Sequence, residues 1–81
     1  MKKNQTDIDV KKTGENIKLL MNEKQVSCNK VAVSIDVTEN AISNYRNGYN
    51  LPDTEHLYKL CKYFDKDIKD IIVEKEKNKD E

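Results

Sequence analysis

Residues that interrupt helices are rare in this sequence. Its 81 residues include two glycines, Gly14 and Gly48, and a single proline, Pro52. Apolar residues recur at helical spacing in several segments, and nowhere do they alternate with polar residues over the length of a strand. The sequence therefore predicts an all-α fold.

Five segments with helical apolar spacing follow one another, each preceded by a short polar residue. The first helix is expected to begin near Asp9–Thr13 and to end at about Lys24. Asp36 and Gly48 are expected just after the second and third helices, because these residue types tolerate left-handed backbone. The side-chain oxygens expected to cap the other four helices belong to Ser27, Thr38, Asp53 and Asp67.

A chain of this length allows one small core. We expect a compact five-helix domain over residues 13–73, between a polar N-terminal arm (1–12) and a charged C-terminal tail (74–81). The residues predicted to face the core are Ile17, Leu20, Met21, Val31, Ala32, Ile35, Ala41, Ile42, Tyr45, Leu57, Leu60, Cys61, Phe64, Ile68, Ile71 and Ile72.

Several classes of function lack the residues that they require. No apolar run is long enough for a membrane span, and no secretory signal is present, so we expect a cytoplasmic protein with no membrane partner. Two separated cysteines and one histidine do not supply the four ligands of a structural zinc site. Since Gly-rich phosphate loops and paired catalytic motifs are also absent, we expect neither enzymatic activity nor a cofactor.

The formal net charge is zero, with 15 basic and 15 acidic side chains, so the domain-wide positive charge of many nucleic-acid binders is missing. The charges are unevenly distributed, however. Residues 1–50 contain eight basic and six acidic groups, whereas residues 51–81 contain seven and nine. Lysines of the arm, including Lys2, Lys3, Lys11 and Lys12, could follow a DNA backbone. Few phosphate contacts predict a shallow salt dependence.

The predicted third helix, at about residues 39–47, has an unusual outward side. Its apolar residues occupy one side, and the opposite side contains Glu39, Asn40, Ser43, Asn44 and Asn47, with Arg46 beside them. An Asn amide offers a donor and an acceptor and can pair with the N6/N7 edge of adenine in the major groove. This pattern favours base reading. The alternatives are a solvated polar surface and, for Glu39, simple stabilisation by the helix dipole.

The two helices around the turn IDVT (35–38) form a predicted helix-turn-helix. Over about residues 13–73 the chain resembles the Cro/C1 repressor-type family, also called Xre-type. The segments of resemblance are GENIKLLMNEKQVSCNKVA, IDVTENAISNYRNG and LPDTEHLYKLCKYFDKDIKDII, and the stretch from AIS through NYRNG to LPDTEHLYKL is the most specific. The resemblance implies a domain that binds operator-like double-stranded DNA, usually as a dimer.

The resemblance also implies a set of DNA-binding residues. Glu39, Asn40, Ser43 and Asn44 match the base-reading positions, Asn47 matches a phosphate-contacting position, and Asn50 lies in the following loop. Cys28 stands where the family usually has a phosphate-binding Gln, so that contact is weakened or left to backbone amides. Glu39 repels phosphate but can accept from cytosine N4. Arg46 replaces a frequent Glu. The complete predicted set is Cys28, Thr38, Glu39, Asn40, Ser43, Asn44, Arg46, Asn47 and Asn50.

The sequence therefore predicts a sequence-specific transcriptional regulator that acts as a repressor and as a homodimer. The fifth helix with Val73 is the expected dimer surface, because its isoleucines exceed what one buried stripe requires. Tyr45 is expected in the core, whereas Tyr49 is equally compatible with loop packing and with a phosphate contact. The alternative function is a helix-turn-helix used as a protein–protein interaction or antitoxin-like module, which the neutral charge, Cys28 and Glu39 favour.

Overall fold

The computed structural model describes residues 7–76, and within this range the chain folds into five helices. They are α1 (Val10–Lys24), α2 (Cys28–Ile35), α3 (Glu39–Arg46), α4 (Thr54–Phe64) and α5 (Ile68–Ile71). The only strand-like feature in the described range is an antiparallel β-bridge between Ile8 and Glu74. The predicted all-α fold is confirmed. No helix among these residues is long and apolar enough to cross a membrane.

Side-chain caps begin the helices where the sequence predicts them. Asp9, Ser27, Thr38 and Asp53 each accept a hydrogen bond from the backbone amide three residues later, at donor–acceptor distances of 2.9, 3.1, 3.1 and 2.9 Å, respectively. At α5 the Asp70 carboxylate accepts from the backbone amide of the N-cap residue, Asp67, at 3.0 Å. These bonds satisfy amides that have no partner inside the helix.

Left-handed residues end the helices or follow them. Asp36 ends α2 with a φ of 61°, and Gly48 follows α3 with a φ of 76°, as expected. Gln25 and Asp65 adopt the same conformation after α1 and α4, with φ values of 58° and 57°. Left-handed backbone at Gln25 and Asp65 was not expected from the sequence, because Gln rarely adopts it and Asp65 is one of several acidic residues near the end of α4.

All five helices contribute to one core. Its buried members are Ile17, Met21, Cys28, Val31, Ala32, Ile35, Ile42, Tyr45, Leu60, Phe64 and Ile71. Leu20, Ala41, Leu57 and Cys61 are partly buried against them, as predicted. The expected burial of Ile68 is wrong, since its side chain is 57% exposed. The reason is that α5 comprises a single turn, whose only buried residue is Ile71.

Backbone of α1 lies unusually close to the end of α3. A Cβ added at Gly14 would lie 2.7 Å from the carbonyl oxygen of Tyr45, 2.8 Å from that of Arg46 and 2.8 Å from the amide nitrogen of Gly48. Such distances are shorter than a carbon atom tolerates, so only glycine permits this approach. Gly14 therefore fixes the position of α3 relative to α1.

The start of α1 also binds the segment that follows α5. The Thr13 hydroxyl, on a residue that is 1% exposed, accepts from the Val73 amide at 2.9 Å, and the Asp9 amide donates to the Val73 carbonyl at 2.7 Å. The Asn16 amide group donates to the Ile71 carbonyl at 3.2 Å. These bonds join residues far apart in sequence and hold α5 against α1.

The division of the chain into arm, domain and tail stays a prediction. Residues 10–12, assigned to the arm, form the first turn of α1. Ile8 and Glu74, assigned to the arm and the tail, face each other in the β-bridge. Lys2 and Lys3 lie outside the described residues, as does the tail after residue 76.

Candidate nucleic-acid interface

Helices α2 and α3 are joined by a tight turn that packs on the core. Asp36 takes the left-handed conformation, and the amide of Val37 donates to the Ala32 carbonyl at 3.0 Å. Val37 packs against the core, and Thr38 then caps α3. Because the turn is fixed at both ends, α3 has a defined direction with respect to α2. This is the arrangement of a helix-turn-helix.

One side of α3 is anchored and the other faces solvent. Ile42 is fully buried and Tyr45 is 6% exposed, which fixes the rotation of the helix about its axis. The predicted contact residues are on the remaining surface. Glu39, Asn40, Asn47 and Asn50 are exposed, and Ser43, Asn44 and Arg46 are partly exposed. Apart from Asn50, which lies in the loop, the structure brings these residues together along α3 and its C-cap.

Three of the predicted contact residues, Thr38, Ser43 and Asn47, already form hydrogen bonds within α3 and its caps. The Thr38 hydroxyl accepts from the Ala41 amide at 3.1 Å, as an N-cap. The Asn47 side-chain amide donates to the Ser43 hydroxyl oxygen at 3.4 Å, one turn earlier. All three side chains keep polar atoms available for an external partner, because a hydroxyl can also donate and an amide has a second N–H group.

Cys28 differs from the other predicted contact residues. It is the first residue of α2, but its side chain is 7% exposed and belongs to the core. The small apolar thiol packs inward, which is compatible with the expectation that a phosphate contact here is left to backbone amides. Any phosphate contact at this position would use backbone amides. Cys28 and Cys61 are both free thiols.

Asn29 is a surface residue that the sequence analysis missed. It is the second residue of α2, and its side-chain amide donates to the Glu39 carboxylate at 3.4 Å. The bond links the start of α2 to the start of α3 at the solvent-facing surface. The two residues are ten positions apart and belong to different helices. The turn at Asp36 brings them together, so no pattern of neighbouring residues predicts the pair.

His56 is the second missed residue. Its Nδ1 atom lies 2.7 Å from the Tyr45 hydroxyl, and the two rings meet edge to face with centroids 5.9 Å apart. Burial raises the pKa of the Tyr45 hydroxyl, and the negative charge of Asp53 raises it further. The pair connects the C-terminal end of α3 to the first turn of α4. Tyr45 is a core residue, as predicted.

Tyr49 is exposed to 73% of its surface. Its backbone amide donates to the Asn44 carbonyl at 3.0 Å, which closes the last turn of α3, while its ring extends into solvent. Of the two interpretations left open by the sequence, loop packing is therefore wrong. The ring lies next to the candidate interface.

Within residues 7–76, no three His, Cys, Asp or Glu side chains are close enough together to hold a metal ion. The polar side of α3 offers hydrogen-bond donors and acceptors rather than metal ligands or nucleophiles. Its chemistry suits the recognition of another molecule's polar edges.

These features define a helix-turn-helix domain. The family of Cro/C1-type HTH DNA-binding domains matches residues 16–76, which is most of the chain. The chain belongs to this family, and the resemblance stated from the sequence is confirmed. No curated protein matches the chain.

Proposed function

We propose that this protein is a cytoplasmic, sequence-specific transcriptional repressor that inserts α3 into the major groove of operator-like double-stranded DNA. The observation that supports this function is the solvent-facing side of α3, on which Asn40, Ser43 and Asn44 stand opposite the buried Ile42 and Tyr45. Occupancy of an operator would block polymerase, and no step of this mechanism requires enzymatic activity or a cofactor.

The residues of the interface have different roles in this proposal. Asn40 and Asn44 contact base edges, because a carboxamide can pair with the N6/N7 edge of adenine. Ser43 lies between them and accepts or donates as the base requires. Glu39 accepts from cytosine N4. The remaining residues, which contact the sugar-phosphate backbone, are Thr38, Arg46, Asn47 and Asn50, together with the backbone amide of Cys28.

The charge distribution predicts modest affinity. Lys11 and Lys12 are exposed in the first turn of α1, and a Cβ added at Gly48, just after α3, would lie 3.0 Å from the Lys11 Cα atom. Arg46 is the only basic residue within α3 itself. Since each neutralised phosphate steepens the dependence of affinity on salt, we expect a shallow dependence.

The base-reading role is tested by selecting a binding site from random DNA and measuring the affinity of alanine variants for it. Asn40→Ala and Asn44→Ala should each weaken specific binding by about 1–3 kcal/mol. Asn22→Ala is the matched control, because Asn22 is an exposed asparagine of α1. If both α3 variants bind the site like the control, α3 does not read bases, and use of this surface for a protein partner becomes the better explanation.

We further propose a homodimer, since one domain this small covers a single half-site and dimers place two recognition helices about 34 Å apart. The surface proposed for it lies between α4 and α5. A groove of 410 Å³ there is lined in part by Leu57, Tyr58, Cys61 and Ile68, of which Tyr58 and Ile68 are 61% and 57% exposed. Because the Val73 backbone forms its hydrogen bonds with Thr13 and Asp9, Ile68 is the central residue of the proposed dimer surface.

Sedimentation of the full chain tests the dimer. Ile68→Ser should shift the equilibrium toward monomer, whereas Leu19→Ser should not. Leu19 is the matched control because it is also a large apolar residue that is 57% exposed, but it lies on α1. A wild-type protein that sediments as a monomer at high concentration, with and without DNA, would contradict the dimer.

A further inference from the structure

The contact between Asn29 and Glu39 lies at the junction of the two helices of the helix-turn-helix. Asn29 is the second residue of α2 and Glu39 is the first residue of α3. Both side chains are exposed, and the Asn29 Nδ2 atom lies 3.4 Å from Glu39 Oε1. Because Asn29 is exposed, the contact contributes little to the packing of the core. Its position suggests a role at the surface.

Glu39 is the only acidic residue in α3, and within residues 7–76 no lysine or arginine forms an ion pair with it. The carboxylate would meet DNA at the edge of the groove, where phosphates repel it. A long side chain that is free to rotate would turn away from the DNA, and fixing it in place would cost conformational entropy. The Asn29 amide is the neighbouring group that restrains it without neutralising its charge.

We propose that Asn29 is a positioning residue that sets the base preference of Glu39, an inference that rests on the DNA-binding function proposed above. Asn29 donates to Oε1 and restrains the carboxylate, which leaves Oε2 to accept from a base. An ionised carboxylate only accepts hydrogen bonds. It therefore selects cytosine, whose N4 amino group is a donor, and rejects guanine and thymine, which present acceptors at that edge.

Adenine is the closest competitor, because its N6 amino group is also a donor. Its N7 acceptor lies beside that group, however, and would repel the second carboxylate oxygen. A restrained carboxylate cannot rotate to avoid this repulsion, whereas a free one can. The predicted result of losing Asn29 is therefore a loss of discrimination, above all between cytosine and adenine, rather than a loss of overall binding.

The experiment measures binding of the full chain to its selected site and to the three other base pairs at each position. Glu39→Gln should abolish the preference for cytosine at one base pair, which identifies the position that Glu39 reads. Asn29→Ala should lower the preference at that same pair by at least about threefold, a small part of the discrimination that a good base contact gives. In a Glu39→Ala background, where no acceptor remains for the Asn29 amide, Asn29→Ala should have no further effect.

Three controls separate positioning from folding. Asn22→Ala, on the exposed surface of α1, should leave every base preference unchanged. Asn29→Gln keeps the donor on a longer side chain and should restore part of the preference, whereas Asn29→Asp, which repels Glu39, should not. The unfolding temperature of Asn29→Ala should equal that of the wild type, because Asn29 is exposed.

Failure of this inference differs from failure of the proposed function. If the wild type selects a sequence and Glu39→Gln changes one base preference, but Asn29→Ala leaves that preference intact, Asn29 has no positioning role and the DNA-binding function stands. If Glu39→Gln changes no preference, Glu39 does not read a base and the inference is wrong. If the wild type selects no sequence at all, both the inference and the proposed function are wrong.

Discussion

Helices α3 and α5 both leave side chains in solvent, but the exposed side chains differ in kind. On α3 they are short and polar, such as Asn40 and Asn44, beneath which Ile42 is fully buried. On α5 the exposed residues are Ile68, Lys69 and Asp70, and Ile68 is the only large apolar side chain among them. A polar surface with few conformational options suits the fixed hydrogen-bonding edges of bases, whereas an apolar surface gains by excluding water with another apolar surface. The difference is the physical reason for proposing α3 as the DNA surface and the groove between α4 and α5 as the dimer surface.

The two helices are also held differently, by neighbouring residues of α1. Gly14 lets the backbone of α1 approach the end of α3, so that α3 is positioned by steric contact. Thr13 acts through a hydrogen bond instead: its hydroxyl accepts from the Val73 amide, just after α5. One turn of α1 therefore determines where both surfaces lie.

The largest effect is expected from a matched pair of substitutions in α5. Ile71→Ala should lower the free energy of unfolding by about 2–5 kcal/mol, because it leaves a cavity in the core. Ile68→Ala should change it by less than about 0.5 kcal/mol, as exposed positions usually do. Urea unfolding at a low protein concentration, where association does not contribute, measures both. Equal losses would show that Ile68 is not the exposed member of the pair.

Gly14→Ala should destabilise the protein by about 1–3 kcal/mol or more, because the added carbon overpacks the contact between α1 and α3. The sign of the change in the free energy of unfolding is informative, since Gly-to-Ala substitutions inside helices normally stabilise the protein by about 1 kcal/mol. DNA binding should weaken as well, because the end of α3 must move. Glu15→Ala, at the exposed neighbouring position, is the control. A stabilised Gly14→Ala variant would mean that α3 is not positioned by this contact.

Local features of this fold were predictable from the sequence because they depend on a few neighbouring residues. The cap at Ser27, the left-handed turn at Asp36 and the cap at Thr38 all follow from the side chains of single residues. Together they specify a helix-turn-helix, and helical spacing then identifies Ile42 and Tyr45 as its buried residues. Once these buried residues are identified, the remaining residues of α3 are expected to form its polar, solvent-facing side.

Features that depend on contacts between helices were not predictable. The need for glycine at Gly14 arises only when α1 crosses the end of α3. The Asn29–Glu39 bond and the Tyr45–His56 bond each join two helices whose relative position no local pattern specifies. The burial of the Cys28 side chain likewise depends on how α2 packs in this core, which its position in a family pattern does not specify.

Thr13→Val should lower the free energy of unfolding by about 1–3 kcal/mol, because it keeps the shape of the buried side chain but leaves the partly buried Val73 amide without its acceptor. Thr13→Ser, which retains the hydroxyl, is the control. The affinity of the folded protein for DNA should stay the same, since α3 is positioned by Gly14 instead. A parallel loss of DNA affinity would contradict the separation of the two anchors.

The smallest effects are expected at high pH, where the free energy of unfolding should fall first through Cys61, in the α4–α5 region, and then through Tyr45, beneath α3. Burial raises the pKa of the Cys61 thiol above its ordinary value of 9.0, with Asp67 and Asp70 adding to the effect, and burial and Asp53 raise that of Tyr45 above 10.0. A raised pKa in the folded state means that the unfolded chain loses its proton first. Stability from each group is therefore complete below the ordinary value and is lost as the pH rises above it.

Cys61→Ala should accordingly flatten the decline in stability that begins near pH 9, in the α4–α5 region, whereas Tyr45→Phe should flatten the decline that begins near pH 10, beneath α3. The measured quantity is the difference in slope between each variant and the wild type. Urea midpoints from pH 8 to 11 provide these slopes. Tyr45→Phe also loses its bond to His56, which lowers stability at the start of this pH range, so slopes rather than absolute midpoints are compared. If the slope near pH 9 is the same in Cys61→Ala and in the wild type, the thiol is as accessible to water as it is in the unfolded chain, and the groove between α4 and α5 is more open than its partial burial of Cys61 implies.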